Sequence, residues 1–346
     1  MKILHVIGTF NNGGIENLLV NLTRQQVLQG NVVGLMIITD SCSQSMIRSL
    51  HTEVKVLFVG KPEGNHNPYY FLKINWMYHR YNPDVLHLHS PSLNTLFRAF
   101  NSKEKRFAHI HNVLPGYKYS PLVNRYLAIS KCVFDVYQRN IGNDKCTILY
   151  NGIDFSKLSE KEMYNINPIR IVCVGRMLFN TKGQDVLLTA FERLLKIRKD
   201  VRLDFWGGGT DLYKLREMVS EKELAEYVQI AGDVDNTYVN SHLKEYDLAV
   251  YASRHEGLGL AAIEAMGVGV PVLLSDVDGH KEVSEGGRYA TMFEVNNINS
   301  LVDALLYVMD NYHHARVIAE QAKIYVRNKF SIEVMANQLS SIYQSF

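Results

Sequence analysis

The sequence predicts an α/β protein of two Rossmann-like, doubly wound domains facing each other across a cleft. Three observations carry that expectation. Short apolar, strand-like runs alternate with longer amphipathic segments along the chain, the pattern of parallel sheets covered by helices. The alternation breaks once, at residues 156–168, a polar stretch of mixed charge that ends in proline and reads as a linker. The 346 residues, 47% apolar and 21% charged, are enough for two soluble domains of ordinary size.

Residues 2–7 read as the first strand, followed by a loop holding Gly13-Gly14 and a helix over 16–29. Strand-length apolar runs at 32–39, 54–59, 85–89, 107–110, 126–129 and 146–149 complete the first sheet. The second series opens at Ile169, with strands at 169–174, 202–206, 228–231, 248–251 and 271–274. Helices over 185–198, 212–221, 236–245 and 260–266 alternate with them, and a last helix over 332–343 follows the aromatic-rich 325–330. The expected division is 1–160 and 161–330, and ligands are expected at the carboxyl ends of the strands.

Glu256-Gly257-Leu258-Gly259-Leu260-Ala261-Ala262-Ile263-Glu264 is the most informative stretch. It sets two carboxylates eight positions apart, with a Gly-x-Gly loop leading into an apolar helical run. Open N–H groups at such a helix start suit an anion, and the flanking carboxylates suit hydroxyls. A ligand with both phosphates and sugar hydroxyls meets those demands. Glu264 lies among alanines, where a carboxylate without a partner is expensive. Glu256 has the alternative of pairing with Arg254. Gly175-Arg176 ends a strand and Lys182-Gly183 opens a helix, with five residues between the two cations. A planar fork and a point charge together grip a diphosphate. A lysine at a helix N-terminus opposes the dipole, so something negative is expected there; the plainer reading is two surface cations.

These stretches resemble the donor site of family-4 glycosyltransferases, retaining enzymes of the GT-B fold. The resemblance continues through Asn12-Gly13-Gly14-Ile15-Glu16, Asn151-Gly152-Ile153-Asp154, Glu264-Ala265-Met266 and Gly269-Val270-Pro271-Val272, nearly the whole length. It implies that Arg176 and Lys182 bind the donor diphosphate, Glu256 meets the transferred sugar and Glu264 the ribose. Gly257, Leu258, Gly259 and Leu260 would supply amides, and Gly13 and Gly14 a close-approach loop. His111 would enter the active site, with His109 on the same strand face as the competing assignment. The C-terminal helix, 331–346, would cross back onto the first domain. Two departures stand out: the Arg176–Lys182 spacing is one residue longer than usual, and Ala252-Ser253 replaces Pro-Ser. Lys281-Glu282, after Asp278-Gly279-His280, matches a family loop near the donor.

Other motifs have plainer readings. Glu16 suits a helix N-terminus. His87 and His89 alternate on one strand and resemble a metal pair, but no third ligand is in view, so no metal is expected. Asp233-Val234-Asp235 and Asp276-Val277-Asp278 mimic metal-binding triplets and read as loop acids. Gly8–Gly14 with Asp40 supports an alternative, an NAD-dependent oxidoreductase, although the glycine spacing is not that of a dinucleotide loop. A noncatalytic nucleotide-sugar-binding protein is the other alternative.

The net charge of +2 hides an asymmetry: residues 1–150 carry 16 Lys and Arg against 8 Asp and Glu, the remainder 21 against 27. The basic half holds Tyr69, Tyr70, Phe71, Trp76, Tyr78, Tyr81, Arg98, Lys103, Lys105, Arg106, Tyr117, Lys118, Tyr119 and Arg125. Such a face suits peripheral attachment to an anionic membrane, against the plainer reading of a solvated surface over core aromatics. No nucleic-acid motif accompanies the charge. Cys42, Cys132, Cys146 and Cys173 have no CxxC spacing, as in a reduced cytosol. No secretory leader or spanning run is evident.

The expected activity is therefore metal-independent transfer of a hexosyl or N-acetylhexosaminyl group from a nucleotide-diphosphate sugar, UDP ahead of GDP, to a hydroxyl. His111, Arg176, Lys182 and Glu256 would form the catalytic set, and no cofactor is expected beyond the donor. The acceptor would be a lipid-linked saccharide or free saccharide held by the first domain. The setting would be bacterial surface-polysaccharide synthesis in the cytoplasm, at the inner membrane face.

Overall fold

A computed structural model describes residues 1–98, 104–111, 120–141, 145–164 and 168–346. The chain forms two compact units, Met1–Ile153 with Phe330–Phe346, and Asp154–Lys329.

The first unit contains strands β1 (Lys2–Ile7), β2 (Val32–Thr39), β3 (Lys55–Lys61), β4 (Val85–Leu88), β5 (Lys105–Ile110), β6 (Arg125–Ala128) and β7 (Cys146–Ile148). All pair in parallel, in the order β3-β2-β1-β4-β5-β6-β7. Helices α1 (Gly14–Leu28), α2 (Gln44–Arg48), α3 (Pro68–Tyr81) and α4 (Lys131–Ile141) join them. Strands β1, β2 and β4 are buried almost residue for residue, as parallel strands covered on both faces must be.

The second unit contains β8 (Ile169–Val174), α5 (Phe179–Lys182), α6 (Gln184–Leu194), β9 (Val201–Trp206), α7 (Leu212–Glu221), β10 (Val228–Gly232) and α8 (Asn236–His242). It continues through β11 (Leu248–Tyr251), α9 (Leu260–Val268), β12 (Val272–Ser275), α10 (Asp278–Val283), β13 (Thr291–Phe293), α11 (Ile298–Asp310) and α12 (Tyr312–Phe330). Its sheet is also parallel, in the order β10-β9-β8-β11-β12-β13. Both sheets start at a central strand, wind outward one way, then return to wind the other, which is the doubly wound plan.

The final helix, α13 (Ile332–Gln344), belongs to the first unit. Ser331 caps it through the Val334 amide, and it lies along α1, where Gln25 bonds Glu333 at 2.8 Å and Gln29 bonds Asn337 at 2.9 Å. Ile332, Met335, Leu339 and Tyr343 complete an apolar layer with Ile3, Val85 and Phe107.

The linker expectation for 156–168 is corrected. Residues from Asp154 onward belong to the second unit, and Phe155 and Leu158 are buried there. Lys161 is buried as well: its ammonium lies 3.2 Å from Asp247, and its N–H donates to the Val268 carbonyl at 2.9 Å. Polarity reads as solvent, and here it is a paired charge inside a core. Residues 165–167 of that stretch lie outside the described residues. The aromatic-rich 325–330 is the end of α12, where Tyr325 stacks on Tyr289 at 4.3 Å.

The basic aromatic face is partly corrected. Tyr78 and Tyr81 are core residues, and the buried Arg106 meets Glu104 at 2.9 Å. What remains outside is one stripe of α3: Tyr69, Leu72 and Trp76 are 58%, 66% and 61% exposed, at helical spacing. Arg80 covers the Trp76 ring and Arg98 the Phe71 ring. Lys103, Tyr117, Lys118 and Tyr119 lie outside the described residues. Among the described residues no helix is long and apolar enough to cross a membrane.

Candidate active site

In a doubly wound sheet the crevice opens past the carboxyl ends of the two strands at which the winding reverses. In the second unit these are β8 and β11, and Gly175-Arg176 and Ala252–Glu256 leave from them. Gly183, at φ 64°, is left-handed, and a Cβ on it would overlap the Ala252 carbonyl oxygen. That close approach presses the turn after Lys182 against the exit of β11. As a result the Lys182 ammonium lies 2.6 Å from Glu256 Oε2.

Glu256 is held from three other sides. Ser253 Oγ donates to the same oxygen at 3.2 Å, and His280 Nε2 lies 4.0 Å away. Gly279 at the start of α10 touches its backbone, since a Cβ there would stand 2.5 Å from the Glu256 carbonyl oxygen. Burial alone would push the Glu256 pKa up, but the Lys182 charge and the hydrogen bonds from Lys182 and Ser253 more than offset this and hold it below the usual value. The carboxyl is therefore charged at neutral pH.

His280 is a site residue that sequence reasoning left as part of a loop. Ser275 Oγ donates to the Ser253 carbonyl at 2.6 Å, so its proton is committed. His280 Nδ1 must then be the donor in its 3.1 Å bonds to Ser275, leaving the Nε2 lone pair toward Glu256. Burial lowers the His280 pKa to about 4, so the ring is neutral and its approach to Glu256 is not an ion pair. A His at the start of a helix after a buried strand has no spacing signature that would have revealed this.

Glu264 lies in α9, four residues after its first position. Among the described residues its carboxyl has no hydrogen-bond partner, and burial raises its pKa to about 7. Gly259, left-handed at φ 87°, starts that helix, whose first-turn amides have no carbonyl within the helix to bond. The Leu258 side chain is core, so only its backbone can face a ligand. Arg176 is exposed, and among the described residues its guanidinium has no carboxylate partner; Gln184 holds its carbonyl at 2.8 Å. Arg254 does not pair with Glu256. It grips Asp185 through two bonds of 2.7 and 2.8 Å and also bonds Asn296 and the Phe179 carbonyl.

Thus Arg176, Lys182, Glu256, Gly257–Leu260 and Glu264 all belong to the second unit, while Gly13, Gly14 and His111 belong to the first. Gly13 caps α1, Gly14 begins it, and Glu16 stands in its first turn, as a helix-supporting carboxylate would. His111 follows β5; it is buried, and burial lowers its pKa to about 4. The acidic triplets do backbone work: Asp235 caps α8 through the Tyr238 amide, and Asp276 accepts from the Val295 amide at 2.9 Å. Asp278, expected in a loop, opens α10, which also carries Lys281 and Glu282. Asp40, the ribose acid of the oxidoreductase reading, is exposed at the end of β2.

Similarity to known proteins agrees with this geometry. The family described as glycosyl transferases group 1 matches residues 154–325, and glycosyltransferase family 4 matches residues 12–157. An uncharacterized 41.2 kDa protein in the cps region of Klebsiella pneumoniae is 24% identical over the full length of both chains. The lipopolysaccharide core biosynthesis mannosyltransferase LpsB of Rhizobium meliloti is 27% identical over 58% of this chain and 60% of its own. Among solved structures, Anabaena HepE in complex with UDP and glucose superposes over all of both chains, with a TM-score of 0.82 at 16% identity. None of these similarities is to an oxidoreductase. The chain belongs to the family-4 glycosyltransferases and has their GT-B architecture of two Rossmann-like units.

Proposed function

We propose that the chain moves a hexosyl or N-acetylhexosaminyl group from a nucleotide-diphosphate sugar, UDP ahead of GDP, to an acceptor hydroxyl with retention of configuration. The observation that carries this reading is the Lys182–Glu256 pair at the winding reversal of the second sheet. Without donor the two charges satisfy each other. An arriving diphosphate offers Lys182 a stronger anion and frees Glu256 to accept from sugar hydroxyls, so one ligand replaces one internal bond with several. Arg176, uncommitted and exposed, closes on the same diphosphate. As the sugar–phosphate bond breaks, Lys182, Arg176 and the first-turn amides of α9 stabilise the charge on the leaving group without a metal. The leaving phosphate then assists deprotonation of the acceptor on the same face. The first unit holds the acceptor.

The similarity to LpsB and to the Klebsiella protein supports a place in bacterial surface-polysaccharide synthesis, and the HepE complex supports UDP. The test is turnover with UDP-, GDP- and ADP-sugars, followed by nucleoside diphosphate release and the proton NMR coupling of the new anomeric centre. Release with retained configuration is expected; inversion, or no release from any donor, contradicts the proposal.

Glu264 takes the ribose hydroxyls. Its carboxyl, raised to about 7, costs free energy when ionised in the empty site, and hydroxyl donors relieve that cost. Donor affinity should therefore rise as pH increases through 7, because the ionised carboxylate is the better acceptor. A calorimetric pH series should show this rise, and Glu264→Gln should flatten it. A rise that persists in the variant would assign the titration elsewhere.

The exposed stripe of α3 contacts an anionic membrane, inserting Leu72 and Trp76 beside Arg80 and Arg98. Sedimentation with vesicles containing phosphatidylglycerol should be strong at low salt and weak at high salt, and Trp76→Ala should reduce it. Absence of binding at low salt would remove the physical basis of peripheral attachment.

A further inference from the structure

The first unit gathers five histidines that the proposed transfer does not need as a group. His5 on β1 is in register with His87 on β4, and alternation puts His89 on the same face. His109 and His111 come to that face from β5. His87 stacks on His89 at 4.6 Å and His109 on His111 at 4.4 Å. A neighbouring strand thus adds two histidines to the face that carries His89. We propose that His89, His109 and His111 form a binding site for a divalent transition metal ion of the zinc class.

The protons of the network point the same way. Gln26 turns its Oε1 to His5 Nε2 at 2.7 Å, so that ring nitrogen carries the hydrogen and His5 Nδ1 is bare. His89 Nε2, 2.9 Å from that bare nitrogen, must donate to it. This leaves a lone pair on His89 Nδ1, aimed at His111 Nε2 3.4 Å away. The separation is long for a nitrogen–nitrogen hydrogen bond. It matches the ~3.3 Å between two imidazole nitrogens on one tetrahedral ion with metal–nitrogen bonds of ~2.05 Å. The relay from Gln26 through His5 to His89 is the outer support that metal-bound histidines have, fixing tautomer and ring.

His109 is fully buried and leaves both ring nitrogens without a hydrogen bond, and His111 Nδ1 is also without one. A ligand atom from each of the three rings lies within 4.8 Å of the others, so a modest turn of the unanchored His109 ring closes the set. His89 and His111 retain 5% and 8% exposure. The inner trio of His5, His87 and His89 is less suited, because both nitrogens of His5 are engaged and His87 Nδ1 is bonded to Tyr343. Three neutral nitrogens leave a fourth position for water, and favour zinc, cobalt, nickel or copper over magnesium or calcium.

The test is titration of the tag-free full chain with Co2+, then with Zn2+ as competitor. One Co2+ per chain with the intense visible absorption of a tetrahedral site, displaced by Zn2+, is expected. Affinity should fall at least tenfold in His109→Gln and in the relay variant Gln26→Leu. The His313→Gln/His314→Gln control, at two exposed residues, should bind as the unmutated chain does. An unmutated chain with no tetrahedral Co2+ spectrum overturns the proposal whatever the variants do. So does a spectrum lost in the surface control or retained in His109→Gln.

Discussion

Lys182→Ala is expected to lower kcat by about 10²–10³-fold, the loss seen when one preorganised charge-stabilising group is removed from a leaving or developing anion. The substitution acts on both sides of the pair. It removes a cation from the departing diphosphate, and it leaves Glu256 buried without its 2.6 Å partner. The second effect is visible without substrate. In the parent chain Glu256, with its lowered pKa, contributes stability above its unfolded pKa, and that contribution is lost as pH falls through the folded value. Without Lys182 burial dominates and raises that pKa, so the contribution should disappear. Unfolding measured from pH 3 to 7 should show a weaker acid dependence in Lys182→Ala, and steady-state kinetics should show the kcat loss. Unchanged kcat would mean that the 2.6 Å pair is only structural.

Lys161→Met should destabilise the second unit by about 3–5 kcal/mol, the cost of leaving a buried charge without its partner. Lys161 and Asp247 are 2% and 3% exposed, and the ammonium also donates to the Lys244 carbonyl at 3.2 Å. Burial lowers the Lys161 pKa, and Asp247 resists that shift, so the pair depends on both charges. The double variant Lys161→Met/Asp247→Leu should recover part of the loss, because it removes the orphaned charge. It will not recover all of it, since Asp247 also accepts from the Arg170 amide at 3.0 Å. Denaturant midpoints for the parent and the two variants check this. A single variant as stable as the parent would mean that solvent reaches the pair.

The fold was legible wherever pattern and packing agree. Parallel strands buried on both faces read as apolar runs, and β1, β8 and β11 appear where expected because apolar residues dominate them. Elements fail where local chemistry overrides pattern. The start of α3 is written in Asn67 and Pro68, a cap and a first-turn proline, but its aromatic face points both inward and outward and blurs the periodicity. Lys161 looked like linker because charge alone does not reveal a buried partner 86 residues away. At the site, Arg176 stands past the end of β8 as its sequence context suggests, whereas Lys182, expected to open a helix, instead ends α5 just before α6. The supports of the site were not legible. His280 and Ser253 act through Glu256 by tertiary contact, and the histidine cluster assembles from three strands that no spacing connects.

The proposed nucleoside diphosphate site is built on Arg176 and Lys182. Thermal unfolding with UDP, GDP, ADP and NAD, on the parent chain and on Arg176→Ala/Lys182→Ala, tests it most directly. One nucleoside diphosphate, UDP first, should stabilise the parent by about 2.7 kcal/mol at 100 times its Kd, and the double variant should lose that gain. Stabilisation by NAD alone, or a diphosphate effect undiminished in the double variant, would contradict it.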